Sequence, residues 1–187
     1  MSKLIMWNLM SLDGYFEGND KWDLSFHTHV WGDELHQLSL EQLQSAECLI
    51  FGRVTYEGMA AYWTSPESQK SEAEIARLMN SIPKIVFSKT LKSATWNNTR
   101  VVSENASEEI RKLKAQGTKD LYLFGSANLS ETFMTDDLFD EYKICVSPVI
   151  LGSGRPLFRQ GISAQNLSLI AAHPLKTGGV ILRYTTS

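Results

Sequence analysis

Cysteine is scarce in this chain, and the little there is argues against redox or disulfide chemistry. Only Cys48 and Cys145 occur among 187 residues, each inside an apolar run, AECLIFG and YKICVSP. A thiol so placed behaves as a small buried hydrophobe. The two read as separate buried groups, not as a structural bridge or a redox pair. No run is long and apolar enough to cross a membrane. The N-terminus lacks the charged, apolar and small-residue succession of a secretory signal. A reducing, cytoplasmic setting is therefore expected.

Excess charge is missing too. Eighteen basic residues stand against 21 acidic ones, a net charge of -3. No basic stripe is visible, so neither nucleic acid nor a membrane is an expected partner. Local fingerprints are equally sparse. GxGxxG, the P-loop and GxSxG are absent, and Ser153 in GSG lacks the flanking pattern of a hydrolase nucleophile. His27, His29, Glu34 and His36 cluster, but not at the i, i+4 spacing of a helical zinc pair, so no metal is expected.

What is present is an ordinary globular composition, 43% hydrophobic and 21% charged. The length suits one domain, taken as 1–187, able to bury a core without metals or disulfides. Strands and helices alternate. Strands are predicted at 3–10, 48–51, 84–88, 121–124 and 141–150, with a weaker extended stretch at 94–102. Helices are predicted at 33–46, 54–61, 65–79, 105–116 and 127–134. Residues 11–25 read as a loop. Runs at 166–172 and 180–185 flank a Thr-Gly-Gly turn and read as an antiparallel pair. The pattern is α/β: a mainly parallel central sheet with flanking helices and antiparallel C-terminal strands.

In such sheets ligands bind beyond the carboxyl ends of the strands. Three strand ends carry chemistry. After 48–51 come Gly52, Arg53, Val54 and Thr55, where a tight turn opens a helix whose first amides are free to hold an anion. After 121–124 come Gly125, Ser126 and Ala127, small enough for close backbone approach, again before a helix. At the end of 84–88, Ser88 is followed by Lys89 and Lys92, and together they could face a 2′-phosphate, with lysine serving as a point charge. A plain strand–turn–helix reads the same way at either glycine junction. Two junctions in one small domain favour a ligand with two phosphates. LMSLDGY at 9–15 closes the first strand, and a loop with Trp22 and Asp23 follows. VSPVILGSGRPL at 146–157 leaves its strand through a proline and two glycines, with Leu151, Gly152 and Arg155 beyond.

Taken in order, SLDG at 11–14, FGRVTYE at 51–57, KIVFSKTL at 84–91, LYLFGSANL at 121–129 and SPVILGSGRPLF at 147–158 resemble the dihydrofolate reductase superfamily. The nearer likeness is to the reductase domain of riboflavin biosynthesis and its stand-alone relatives, over nearly the whole chain. The resemblance implies a dihydrofolate-reductase-like fold, NADPH as hydride donor, a small-molecule substrate and a homodimer. It assigns Gly52, Arg53, Val54 and Thr55 to the first cofactor segment, and Ser88 and Lys89 to the adenosine-phosphate segment. Gly125, Ser126, Ala127, Asn128 and Leu129 match the phosphate loop. Ser11, Leu12, Asp13 and Gly14 match the motif beside the nicotinamide. Riboflavin-pathway reductases usually have lysine after SLDG, where Tyr15 stands here. They also usually have glutamate and a second glycine in the phosphate loop, where Phe124 and Ser126 stand.

The activity expected is hydride transfer from NADPH to a C=N or C=O bond of a small heterocycle, pterin-like or aminopyrimidine-like. Asp13, Tyr15 and Asp23 are the candidate proton donors, with bound water another. Leu151, Gly152 and Arg155 are candidate substrate contacts. Reduction of the aminouracil ribotide of riboflavin biosynthesis is the alternative, and Arg155 or Lys143 would then supply the missing positive charge. A non-catalytic NADP(H)-binding module would carry the same cofactor residues.

Overall fold

The computed structural model describes residues 2–186. The chain begins with strand β1 (Leu4–Ser11), a short β2 (Tyr15–Glu17) and a 3-10 turn (Ser25–His29), then helix α1 (Asp33–Ser45). Next come β3 (Ala46–Gly52), α2 (Arg53–Trp63), α3 (Pro66–Ser71), α4 (Ala73–Ser81), β4 (Lys84–Phe87) and β5 (Thr99–Val102). The second half holds α5 (Ala106–Gln116), β6 (Asp120–Phe124), α6 (Ala127–Thr135), β7 (Glu141–Ser147), β8 (Arg155–Pro156), β9 (Leu167–Pro174) and β10 (Val180–Thr186).

The main sheet has the order β5-β4-β3-β6-β1-β7-β10-β9. Its pairings are parallel from β5 through to β7, whereas β10 runs antiparallel to both neighbours. This is the expected architecture, and alternation along the strands explains its two faces. Trp7, Phe51, Val86 and Phe124 pack on one side with Leu35, Leu43, Tyr56, Ile75 and Met79 of α1, α2 and α4. Met6, Ile50, Ile85 and Leu123 pack on the other with Ile110 of α5 and Phe133 of α6. Two buried layers on one sheet supply most of the folding drive, at about 25 cal/mol per Å² of apolar area.

Several predicted elements differ. The helix expected over 65–79 is two helices, broken at Glu72, whose φ of -134° and ψ of 45° leave the helical region. The break lets the Glu72 carboxylate accept from Trp31 Nε1 at 3.0 Å and lie 2.9 Å from His36 Nδ1. Strand 94–102 shortens to β5, because Trp96 turns inward and donates its indole N–H to Asn80 Oδ1 at 2.6 Å. Strand 141–150 stops at Ser147, before Pro148, which has no amide to give the ladder. It is also interior, paired with β1 on one side and β10 on the other. The loop at 11–25 contains β2, which pairs with β8. Cys48 and Cys145 are free and buried, and burial pushes both thiols up to about 12.

One feature of the register positions the site. The β1–β6 pairing ends at Trp7 opposite Phe124, while β1–β7 continues to Ser11 opposite Ser147. Beyond Trp7 the β1 edge therefore faces an opening instead of a strand. It lies where the chain order of the strands reverses, the switch point at which α/β sheets bind ligands.

Candidate active site

A cavity of about 640 Å³ fills this opening, lined by β1, the β2 loop, α1, and the junctions after β3 and β6. The two glycine junctions meet on its wall. Arg53, Val54 and Thr55 begin α2, and Ala127, Asn128 and Leu129 begin α6; all six line the cavity with Gly52, Gly125 and Ser126. Neither helix start has a side-chain cap. Their first amides and the positive ends of both helix dipoles are left for an anionic ligand. Gly125 has a φ of +58°, and a Cβ there would meet Thr55 Oγ1 at 2.9 Å. The left-handed turn and the close approach together require glycine. Phe87, paired with Gly52 across β3–β4, lines the cavity beside these amides. Ser88 and Lys89 follow it, and Ser88 Oγ accepts from the amides of Thr90 and Leu91.

The opposite wall is aromatic. Trp7, Trp22, Trp31 and Trp63 contribute to it together with Phe16. Trp22 is held over the cavity by its own loop. Its backbone amide donates to Glu17 Oε1, its φ is +66°, and its ring rests on Gly58 of α2, where a Cβ would come within 2.5 Å. Glu17 is 4% exposed, and its second oxygen lies 3.1 Å from Arg155 Nε. The other two cavity arginines are also paired, Arg53 with Glu57 at 2.8 Å and Arg159 with Glu131 at 3.5 Å.

The residues expected from the sequence divide into two sets. Gly52 to Thr55, Gly125 to Leu129 and Arg155 converge on the cavity. Ser11, Leu12, Asp13, Gly14, Tyr15, Asp23, Ser88, Lys89, Leu151 and Gly152 are not among its lining residues. Asp13 instead accepts from Ser11 Oγ at 2.6 Å and from the amides of Gly152 at 2.7 Å and Leu151 at 3.1 Å. These donors, the serine hydroxyl foremost, hold its carboxyl below the usual range. The carboxylate thus ties the β1 end to the 151–152 turn. Ser11 Oγ also accepts from the Tyr15 amide at 2.9 Å, and Asp23 accepts from Ser25 Oγ at 2.8 Å.

Sequence reasoning missed the interior polar groups. Asn8 Nδ2 and His27 Nε2 are buried without a partner, and both residues line the cavity. Burial pushes the His27 imidazole down to about 4. Gln42, also on the wall, accepts at Oε1 from Lys143 Nζ at 3.0 Å, and that lysine lies over the Trp7 ring, 5.3 Å from its centroid.

A model of the RibD C-terminal domain family matches residues 2–181. The chain belongs to that family. It is 29% identical over 185 residues to the uncharacterized protein YyaP of Bacillus subtilis, covering 97% of this chain and 94% of that one. Among solved structures it resembles a putative riboflavin biosynthesis protein from Shewanella sp. PV-4, with a TM-score of 0.77, 23% identity and 99% of each chain covered. Dihydrofolate reductase from Enterococcus faecalis, solved with NADP(H), superposes with a TM-score of 0.66 at 13% identity, over 99% of this chain and 96% of that one. The fold is dihydrofolate-reductase-like, and the family is that of the riboflavin-biosynthesis reductase domain.

Proposed function

We propose that the protein is an NADPH-dependent reductase of a small, unphosphorylated heterocycle, acting as one domain. The observation that carries this reading is the meeting of two uncapped helix starts, those of α2 and α6, on the wall of one cavity at the switch point. Paired free amides with glycine at the close approach suit a diphosphate. Ser88 and Lys89 follow Phe87 at the end of β4, and the likeness of KIVFSKTL to the family's adenosine-phosphate segment supports assigning them to a 2′-phosphate. The cofactor, when bound, supplies a hydride.

The chain's own residues do the rest. The amides of α2 and α6 anchor the phosphates, and the aromatic wall orients a flat ring. The Trp22 loop covers part of the cavity and limits its exchange with bulk solvent. Asp13 and Asp23 are bound into turns, so the proton that completes the reduction comes from water entering at the cavity mouth. The aminouracil ribotide fits less well, because it needs a cation for its phosphate. Tyr15 and Phe124 supply none, the cavity arginines are each paired, and Lys143 is tied to Gln42.

Thermal unfolding with NADPH, NADH or neither tests the reading. A ligand that binds only the folded state stabilises it by about 2.7 kcal/mol at a hundred times its dissociation constant. A rise in Tm with NADPH and a much smaller one with NADH is expected, and Lys89→Ala should narrow the difference. Equal midpoints in all three conditions would refute the cofactor assignment. A shift with NADPH but no oxidation against any heterocyclic acceptor would leave a binding module.

A further inference from the structure

We infer that Gln42, its side-chain amide oriented by Lys143, is a specificity residue that selects a neutral ring bearing carbonyl oxygens and rejects one bearing amino groups. This rests on the reductase reading for the reaction but stands on separate residues.

Chemistry decides the direction of the Gln42 amide. An ammonium donates and never accepts. Lys143 Nζ lies 3.0 Å from one end of the Gln42 amide, so that end is the oxygen. The NH₂ end is left for the cavity that Gln42 lines. Gln42 is 5% exposed, so its amide has no solvent shell to turn toward. Lys143 is held in turn. It stands opposite Trp7 in the β1–β7 register and lies over that ring, 5.3 Å from its centroid. Cation–π contact and the hydrogen bond fix the ammonium in one place.

Two further buried polar groups line the same cavity. Asn8 Nδ2 is a buried donor without a partner, and Asn8 itself is 5% exposed. His27 Nε2 is buried and unpartnered as well. Buried polar atoms left this way represent a cost that a bound molecule removes. A ring carrying amino groups in place of carbonyls needs acceptors, and a protonated ring needs a carboxylate. Among the described residues Glu17 is the one carboxylate on the wall, and both its oxygens are engaged, by the Trp22 amide and by Arg155. Around Gln42 the wall therefore offers amide donors and no free carboxylate. Lys143 acts through Gln42 and is a positioning residue.

Two probes share one planar bicycle: lumazine, with carbonyl oxygens at positions 2 and 4, and 2,4-diaminopteridine, with amino groups there. Binding is read by quenching of tryptophan emission, with NADPH-induced thermal stabilisation of each variant measured in parallel. The intact chain should bind lumazine at least about tenfold more tightly, since a donor aimed at position 2 or 4 meets another donor in the diamine. Gln42→Glu places an acceptor on the wall and should reverse the order. Gln42→Leu should weaken lumazine without improving the diamine. Lys143→Met frees the amide to rotate and should bring the two affinities together, a convergence that loosened packing alone would not produce. Every variant should keep its NADPH-induced shift, which also shows that it folds. Equal binding of the two probes by the intact chain, binding of neither, or a preference indifferent to Gln42→Glu would overturn the assignment. Loss of the NADPH shift in the intact chain with the lumazine preference retained would remove the reductase reading and leave the subsite.

Discussion

The hydroxyl of Ser126 occupies the space that a side chain at Gly52 would need: a Cβ built on Gly52 meets Ser126 Oγ at 2.1 Å and its Cβ at 2.8 Å. The reciprocal contact joins Gly125 to Thr55. The two phosphate-loop candidates, far apart in sequence, are one interlocked unit across β3 and β6. Each junction keeps the other's amides open to the cavity.

Gly52→Ala should therefore destabilise the protein by about 1–3 kcal/mol through overpacking and abolish the NADPH-induced rise in Tm. The obstacle is the end of a short side chain, so it is removable. Ser126 has a φ of +60°, a conformation that glycine adopts freely. Ser126→Gly alone should be near neutral, and the double variant should recover most of what Gly52→Ala loses. Urea unfolding of the four proteins measures the coupling. Simple additivity would separate the two junctions.

His27 predicts a pH dependence. Its folded value is lowered to about 4 from an ordinary 6.5 by burial. Between those values the unfolded chain takes up a proton that the folded chain refuses. Stability is then complete above about pH 6.5 and declines as pH falls toward 4, by up to about 3 kcal/mol from this group. Denaturant midpoints for wild type and His27→Gln across pH 4–7 isolate the contribution, because other carboxylates titrate alike in both. Parallel curves would contradict it.

Asp13 was read from sequence as a proton donor, and its surroundings give it a turn to hold. Asp13→Ala should speed hydrogen exchange at the amides of Leu151 and Gly152 by about tenfold while leaving the NADPH-induced shift in place. Unchanged exchange with a fall in turnover would return the residue to a role in proton transfer.

Gly58 lies inside α2, where alanine ordinarily gains about 1 kcal/mol. Here the added methyl would meet the Trp22 ring at 2.5 Å. Gly58→Ala should undock the Trp22 loop, seen as a red shift in tryptophan emission, and weaken ligand retention. An unshifted spectrum would mean that the loop closes by other contacts.

Much of this molecule is readable from the chain. Continuous apolar runs mark β1, β3, β4 and β6, and a glycine at the end of β3 and just after β6 marks the turns into α2 and α6. Such signals are local, because they depend on backbone preference and on which side of one element is apolar. The helix break at Glu72 was not readable, since neither glycine nor proline marks it and Trp31 and His36 reach it from another part of the chain.

The sequence by itself determined the α/β class, the family and the two glycine junctions of the cavity, whose amides are placed by their own backbone at strand ends. The tertiary structure alone decided that the two glycine junctions interlock, that Asp13 faces a turn, and that Lys143 meets Gln42 from 101 positions away. A backbone amide points where its own strand and helix send it. The direction of a buried side-chain amide is set by whatever distant strand packs against it, and no local pattern records that neighbour.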